Sequence, residues 1–314
     1  MTLTELRYIV AVARERHFGR AAEACFVSQP TLSVAIKKLE DELGVLLFER
    51  KTNDVTPTPA GERIVAQAQR VLDEANRIKE IARHGKDPLA GPLRVGVIYT
   101  IGPYLLPPLV RQLLKDAPQM PLLLNENFTL KLIELLKNGE IDVAIMALPL
   151  PESGLQIQPV YDEPFAVAVP RDHAWTKRKA VTSDDLKKET MLLLGTGHCF
   201  RDHVLEVCPE LSRFSTDAEG IQKTFEGSSL ETIRQMVASG IGITVLPMTS
   251  VPEHVRRDSL IAYLRFRSPV PDRRVVLAWR RSFTRAPAIE ALRQAILKCP
   301  LHGVTRLDLP PAAG

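Results

Sequence analysis

The sequence predicts an α/β protein with an N-terminal winged helix-turn-helix, a long linker helix and a two-lobed α/β regulatory domain. Three observations carry this expectation. Two short helical patterns precede a three-residue turn and a third helix with a polar outer face. One apolar stripe then runs without a break through residues 59–86. Beyond Gly91, short apolar runs alternate with helical patterns, the texture of a parallel α/β sheet.

Taken in order, Leu3, Leu6, Ile9, Val10 and Val12 share one face of a first helix. Phe18 to Cys25 form a second, in which Ala21, Ala22 and Ala24 allow close packing, and Cys25 is a small buried hydrophobe. Phe26-Val27-Ser28 is the turn. Ser28 caps a third helix that tolerates Pro30 in its first turn and stops at Gly44. Leu32, Ile36, Leu39 and Leu43 face its core side, and Gln29, Thr31, Ser33, Val34, Lys37 and Lys38 the other. The polar residues near its start are placed for base edges, together with Ser28 and Pro30 of the turn. Lys37 and Lys38 are placed for phosphates. Glu49 to Pro57 reads as a wing that offers Arg50 and Lys51 to the nucleic-acid backbone. An ordinary three-helix bundle with a solvated face is the plainer reading.

The stripe of the linker helix is too long to bury against so small a module, so it is expected to pair with a second subunit. His84 to Pro92 marks a hinge. In the α/β region, strands are expected at 93–99, 122–125, 141–147, 165–169, 191–194 and 243–246, with helices at 105–116, 130–138 and 229–239. The ends of three strands, at Tyr99-Thr100, Phe128-Thr129 and Gly195 to Cys199, are expected to meet in one cleft.

The 314 residues are 45% hydrophobic and 25% charged, with a net charge of +4. That suits a soluble, cytoplasmic protein with no signal peptide, no membrane span and no cofactor motif. Acidic and basic residues balance in the first 63 positions, so net charge does not argue for nucleic acid; the placement of the charges does.

Two of the four cysteines lie in Gly197-His198-Cys199-Phe200-Arg201-Asp202-His203-Val204-Leu205-Glu206-Val207-Cys208. Phe200, Val204 and Val207 have helical spacing, which places Cys199 in a first helical turn. A helix N-terminus and neighbouring His198 and Arg201 are expected to lower its pKa. A helix continuing to Cys208 would separate the two Cα atoms by about 13–14 Å, whereas a disulfide requires roughly 7 Å or less. The pair can therefore be bridged only if the helix comes apart, which is the behaviour of a redox switch. Inert buried thiols, a metal site sharing Cys199 and His203, and a Cys-His nucleophile are the other readings. The polar surroundings, the wrong face of Cys208 and the lack of a third orienting residue weigh against each in turn.

The runs Phe18-Gly19-Arg20-Ala21-Ala22, Val27 to Ser33, Ile36 to Glu40, Leu47 to Arg50 and Thr58-Pro59-Ala60-Gly61 resemble, in order and spacing, the DNA-binding module of LysR-type transcriptional regulators. The α/β part resembles that family's effector half, which is similar to periplasmic binding proteins. The likeness is sharpest to the family's peroxide-sensing members, through the Cys199 to Cys208 segment, Ser229 to Thr232, Gly242-Ile243-Thr244 and Thr100 to Pro107. The resemblance implies a DNA-binding domain at 1–58, a linker and hinge at 59–90 and a regulatory domain at 91–302. Lobe I would be 91–163 plus 268–302 and lobe II 164–267, with 303–314 a frayed tail. It implies Cys199 as the peroxide-reactive thiol, Cys208 as its resolving partner, and Thr100, Thr129 and His198 as the peroxide pocket. The implied partners are double-stranded promoter DNA, hydrogen peroxide, RNA polymerase, cellular thiol reductants and further copies of the chain, as a dimer of dimers. A regulator that binds a small metabolite between its lobes is the alternative.

Overall fold

The computed structural model describes residues 1–307 apart from 52–53, 84–86, 152–153, 210–223, 255 and 257. The chain divides into two compact units, Met1–Lys86 and Asp87–Gly314.

In the first unit, helices α1 (Leu3–Glu15), α2 (Phe18–Ala24) and α3 (Gln29–Leu43) precede a hairpin of β1 (Phe48–Lys51) and β2 (Asp54–Pro57) and the helix α4 (Pro59–Arg83). Thr2 and Glu5 form a capping box on α1, and Gly44 ends α3 in the left-handed conformation at φ 69°. Leu6, Ile9, Val12, Ala21, Leu32, Ile36 and Leu39 interlock in one core. Glu40 is buried and reaches past the end of α3, where its Oε1 accepts from the backbone N–H of Leu47 (2.8 Å) and Phe48 (3.3 Å). One carboxylate thus ties α3 to the start of the wing.

The stripe of α4 divides in two. Ile64, Val65, Ala68 and Leu72 pack into the unit's own core, so a second subunit is not needed to cover them. Val71 and Ile78 remain exposed, at 36% and 70%. The expectation that the whole stripe faces a partner is corrected, because α1 supplies enough apolar surface to bury the N-terminal half.

The second unit contains β3 (Leu93–Ile98), α5 (Gly102–Asp116), β4 (Leu122–Asn127), α6 (Thr129–Lys137) and β5 (Val143–Ala147). The long β6 (Gln156–Pro170), β7 (Ala180–Val181), α7 (Ser183–Leu186), β8 (Met191–Leu194), α8 (Cys199–Val207) and β9 (Thr224–Gly227) follow. The unit ends with α9 (Leu230–Ala238), β10 (Thr244–Pro247), β11 (Ile261–Phe266), β12 (Asp272–Trp279), α10 (Ala286–Lys298) and β13 (Thr305–Arg306). β4, β3 and β5 are parallel, as the alternation of strands and helices predicts. Gly96 lets α6 lie close to β3: a Cβ there would sit 2.6 Å from the Ile141 side chain and 2.7 Å from that of Leu132.

Apart from β7, which runs parallel to β11, the rest of the sheet departs from the parallel expectation. β12 runs antiparallel to both β5 and β6, and β10 and β11 run antiparallel to β6. β6 is the reason. Its first part pairs with β12, and from Phe165 onward it pairs with β10 and β11. One continuous 15-residue strand thereby serves two hydrophobic cores. The first core holds β3, β5, α5, α6 and α10; the second holds β8, α8, α9 and β10.

The expected frayed tail is also corrected. Thr305 and Arg306 pair with Asp162 and Tyr161 of β6, and the Leu307 N–H donates to the Val160 carbonyl at 2.8 Å. β6 offers an unpaired edge there, and the chain end satisfies it. Residues 308–314 of that tail lie outside the described residues.

Replacing Glu40 by alanine leaves two buried N–H groups without their acceptor. We expect Glu40→Ala to destabilise the N-terminal unit by about 1–3 kcal/mol. Thermal unfolding followed by circular dichroism would detect it, and an unchanged midpoint would contradict the tether.

Candidate functional site

Three chain segments meet at a small cavity in the second unit. Tyr99 and Thr100 follow β3, Phe128 and Thr129 follow β4, and Gly197 to Cys199 lead into α8. The cavity encloses about 10 Å³, room for one water-sized molecule. Thr100, Thr129 and His198, the three residues that the resemblance assigns to the peroxide pocket, line it together with Cys199. α6 and α8 both start at this cavity, and neither has a side-chain N-cap: Phe128 and His198 occupy those positions without capping hydrogen bonds. Their first N–H groups leave the cavity favourable to negative charge.

Each wall residue has a distinct environment. Thr129 is 7% exposed, and its hydroxyl makes no well-formed hydrogen bond among the described residues. It lies near enough to the Cys199 thiol to lower the thiol pKa. Thr100 accepts from Arg273 Nη1 at 2.7 Å through its hydroxyl and from Nη2 at 3.0 Å through its carbonyl. The Arg273 Nε donates to Glu163 at 2.8 Å, in an ion pair with no exposed side-chain surface. Glu163 also accepts from the backbone N–H of Thr249 at 2.9 Å and from its hydroxyl. The guanidinium carbon lies 5.1 Å from the centre of the Phe200 ring on α8.

The thiol itself corrects an expectation. Burial is the strongest influence on Cys199 and pushes its pKa above the ordinary thiol value; Thr129, Arg273 and the residue's own backbone N–H pull it down by less. The two neighbours expected to supply positive charge do not act that way. Burial depresses the pKa of His198, which favours the uncharged ring. Arg201 donates to the Leu194 carbonyl at 2.9 Å, the end of β8. The effective cation is Arg273, which reasoning from the sequence missed. It stands 74 positions further on, and only the pairing of β12 with β6 carries it to the site.

The two cysteines of the segment belong to different surroundings. Cys199, the first residue of α8, packs against the first core. Cys208, at the other end of the helix, is fully buried in the second. Phe200 and Val204 anchor the helix in that second core. His203 is buried on the same helix, its Nε2 is 2.7 Å from the Leu148 carbonyl, and its Nδ1 has no partner among the described residues. None of the four cysteines is in a disulfide. Cys25 is half-buried and Cys299 buried; desolvation raises both thiols, Cys299 to about 11.

In the N-terminal unit, Gln29, Pro30, Thr31 and Lys37 are exposed on α3, and Ser33 is partly so. Ser28 is committed to capping: its Oγ accepts from the Thr31 N–H at 3.3 Å and lies 2.8 Å from the Thr31 hydroxyl. Two apolar side chains, Phe26 of the turn and Val34 of the outer face of α3, were given no contact role from the sequence. Phe26 is 95% exposed at a left-handed φ of 56°, and Val34 is 68% exposed. Their exposure next to α3 is the only signal that marks them. The side chains of Arg50 and Lys51 lie outside the described residues, although their backbones form β1.

His203 gives the site a pH dependence. Burial lowers its pKa below the ordinary 6.5, so the unfolded chain takes up a proton first as pH falls. The stability this group contributes is present above about pH 6.5 and is lost as pH falls through the folded-state pKa. His198 shifts in the same direction and adds to the effect. We expect His203→Gln to reduce the acid-side loss of stability without abolishing it. Denaturant titrations at pH 5 and pH 8 would show this, and an unaltered pH slope would refute it.

Residues 3–62 match the bacterial regulatory helix-turn-helix protein, lysR family, and residues 86–298 match the LysR substrate binding domain. The DNA-binding transcriptional dual regulator OxyR of Escherichia coli (strain K12) is 41% identical over 296 residues, covering 94% of this chain and 95% of that one. Full-length OxyR from Pseudomonas aeruginosa, solved as a cysteine variant, superposes with a TM-score of 0.75 at 53% identity over 99% of each chain. A mutant OxyR from Corynebacterium glutamicum with H2O2 bound has a TM-score of 0.62 at 35% identity, covering 94% of this chain and 91% of that one. No helix among the described residues is long and apolar enough to cross a membrane. The chain belongs to the LysR family of bacterial helix-turn-helix transcription regulators, in its OxyR branch.

Proposed function

We propose that this protein is a peroxide-responsive transcription regulator whose DNA contacts are switched by a reversible Cys199–Cys208 disulfide. The observation that carries the reading is the cavity itself. A thiol at an uncapped helix start faces a water-sized space beside a buried threonine hydroxyl that has no well-formed hydrogen bond among the described residues. Hydrogen peroxide suits that space in size and in its appetite for hydrogen bonds. Thr129 can donate to or accept from it, and Thr100 retains its hydroxyl proton after accepting from Arg273. The Cys199 thiolate attacks one peroxide oxygen, the O–O bond breaks, and hydroxide leaves with a proton to become water. The resulting sulfenic acid condenses with the Cys208 thiol, forming the disulfide and a second water. Cellular thiols reset the switch by exchange.

The disulfide opposes the packing of α8. Phe200 and Val204 are each buried, a contribution of about 1.5–3 kcal/mol apiece. Losing both would raise the reduction potential by roughly 60–130 mV, before any new contacts are made. Released apolar residues of α8 would seek a subunit interface, rotate the subunits of a dimer of dimers and move their recognition helices between half-sites. The exposed Val71 and Ile78 of α4 suit pairing of linker helices. Promoter binding by residues 1–58 and contact with RNA polymerase complete the proposed regulator, with 59–90 as linker and 91–302 as sensor.

A stoichiometric dose of hydrogen peroxide should remove two free thiols per chain and lower amide protection across 195–209. Cys199→Ser should hold the reduced DNA footprint, and Cys208→Ser should stop at sulfenic acid. Equal hydrogen exchange in both redox states would rule out refolding even with the disulfide present.

On the DNA side, Gln29→Ala and Ser33→Ala should each weaken specific binding by about 1–3 kcal/mol. Arg50→Ala should weaken it evenly across sequences and reduce the salt slope by about 1. Gel-shift titrations at two salt concentrations test this; full affinity in all three variants would remove α3 and the wing from the interface.

A further inference from the structure

Three rings line the cavity at Cys199 and pack on one another. Tyr99 and Phe128 meet edge-to-face with centroids 5.2 Å apart, Phe128 and His198 at 4.8 Å, and Tyr99 and His198 at 5.8 Å. The rings differ in freedom. His198 is 7% exposed and hydrogen-bonds to the Ser228 backbone, so it is fixed. Tyr99 and Phe128 are 38% and 39% exposed, with one side open to solvent. Phe128 also lies on Gly197, whose φ is +98°; a Cβ at 197 would come within 3.4 Å of the ring. Glycine there permits both the backbone conformation and the close seat of Phe128. The space these rings line holds about one water-sized molecule and is also lined by Thr129, whose buried hydroxyl has no partner within hydrogen-bond geometry among the described residues and lies beside the Cys199 thiol.

We propose that Tyr99 and Phe128 form an aromatic gate, hinged against a fixed His198, that admits small hydroperoxides to Cys199 and excludes bulky ones. The inference rests on the peroxide reading of the cavity and adds its specificity. For any hydroperoxide ROOH the step is the same. The thiolate sulfur bonds to the terminal oxygen and is oxidised by two electrons, the O–O bond breaks, and RO⁻ leaves to be protonated to ROH. The R group must therefore lie on the outward side of the reacting oxygens, where the rings stand. Hydrogen peroxide has only a proton in that position. A cumyl or tert-butyl group requires both rings to swing away, and their mutual contacts oppose this. Side-chain rotation is fast, so the cost is paid as a smaller open population at each encounter.

The test uses the full-length reduced protein and the variants Phe128→Ala and Tyr99→Ala, both at partly exposed positions. Oxidation of Cys199 by hydrogen peroxide and by cumene hydroperoxide is timed by peptide mass spectrometry. Alkylation of Cys199 by iodoacetamide and by the larger monobromobimane is timed in parallel. Each variant should raise the large-to-small rate ratio by roughly tenfold or more in both arms. Ratios equal to those of the parent protein in both variants would overturn the gate. A raised alkylation ratio with hydrogen peroxide inert toward Cys199 would leave the gate standing and overturn the peroxide reading, so the two failures are separate.

Discussion

The buried ion pair of Arg273 and Glu163 is the constraint on which the sensor site depends. Both side chains have no exposed surface, and removing one partner of such a pair costs about 3–5 kcal/mol because it strands the other charge. The guanidinium directs its donors to the end of β3 at Thr100 and to β6 at Glu163, while its face lies over Phe200 of α8. Glu163 extends the connection to Thr249, just beyond β10. One cation therefore ties together two of the segments that build the cavity, the end of β3 and the start of α8. It does so at the point where β6 passes from one hydrophobic core to the other.

That arrangement explains how a thiol can be both restrained and responsive. Burial favours the protonated, quiet form of Cys199, while Arg273 and Thr129 favour the thiolate. These influences oppose one another within a few ångströms, so a ligand that adds hydrogen bonds inside the cavity can tip the balance. The same packing sets up the conflict that drives the proposed switch. Cys199 and Cys208 end one helix on two different cores, and a covalent bond between them is incompatible with α8 as it is packed. Phe200 belongs to both stories, since it anchors α8 and covers the arginine that tunes the thiol.

The position of the cavity between the two hydrophobic cores gives its rings a further consequence. Tyr99 and Phe128 follow strands of the first core, whereas His198 opens a helix packed on the second. A rearrangement of α8 would take the fixed ring away from the two movable ones. Access to the site is in this way coupled to the state of the helix that the site controls.

The sequence by itself determined the local elements and the chemistry-bearing segment. Helical spacing, the Ser28 cap and Gly44 defined α3, because capping and amphipathicity are written in neighbouring residues. The three strand-end segments were legible too, since an apolar run followed by turn residues marks the end of a buried strand. Long-range pairing was not. Only 165–169 of the 15-residue β6 reads as a strand, because Pro159 and Pro164 interrupt the apolar pattern before it, and its antiparallel partners β11 and β12 lie far along the chain. The direction of the Cys199 pKa shift was decided by desolvation, which depends on everything packed around the thiol. Its chief cation was decided by a strand pairing between Arg273 and Glu163, 110 positions apart. Local spacing fixes which face a residue occupies on its own helix or strand; only the closed tertiary structure fixes what that face meets.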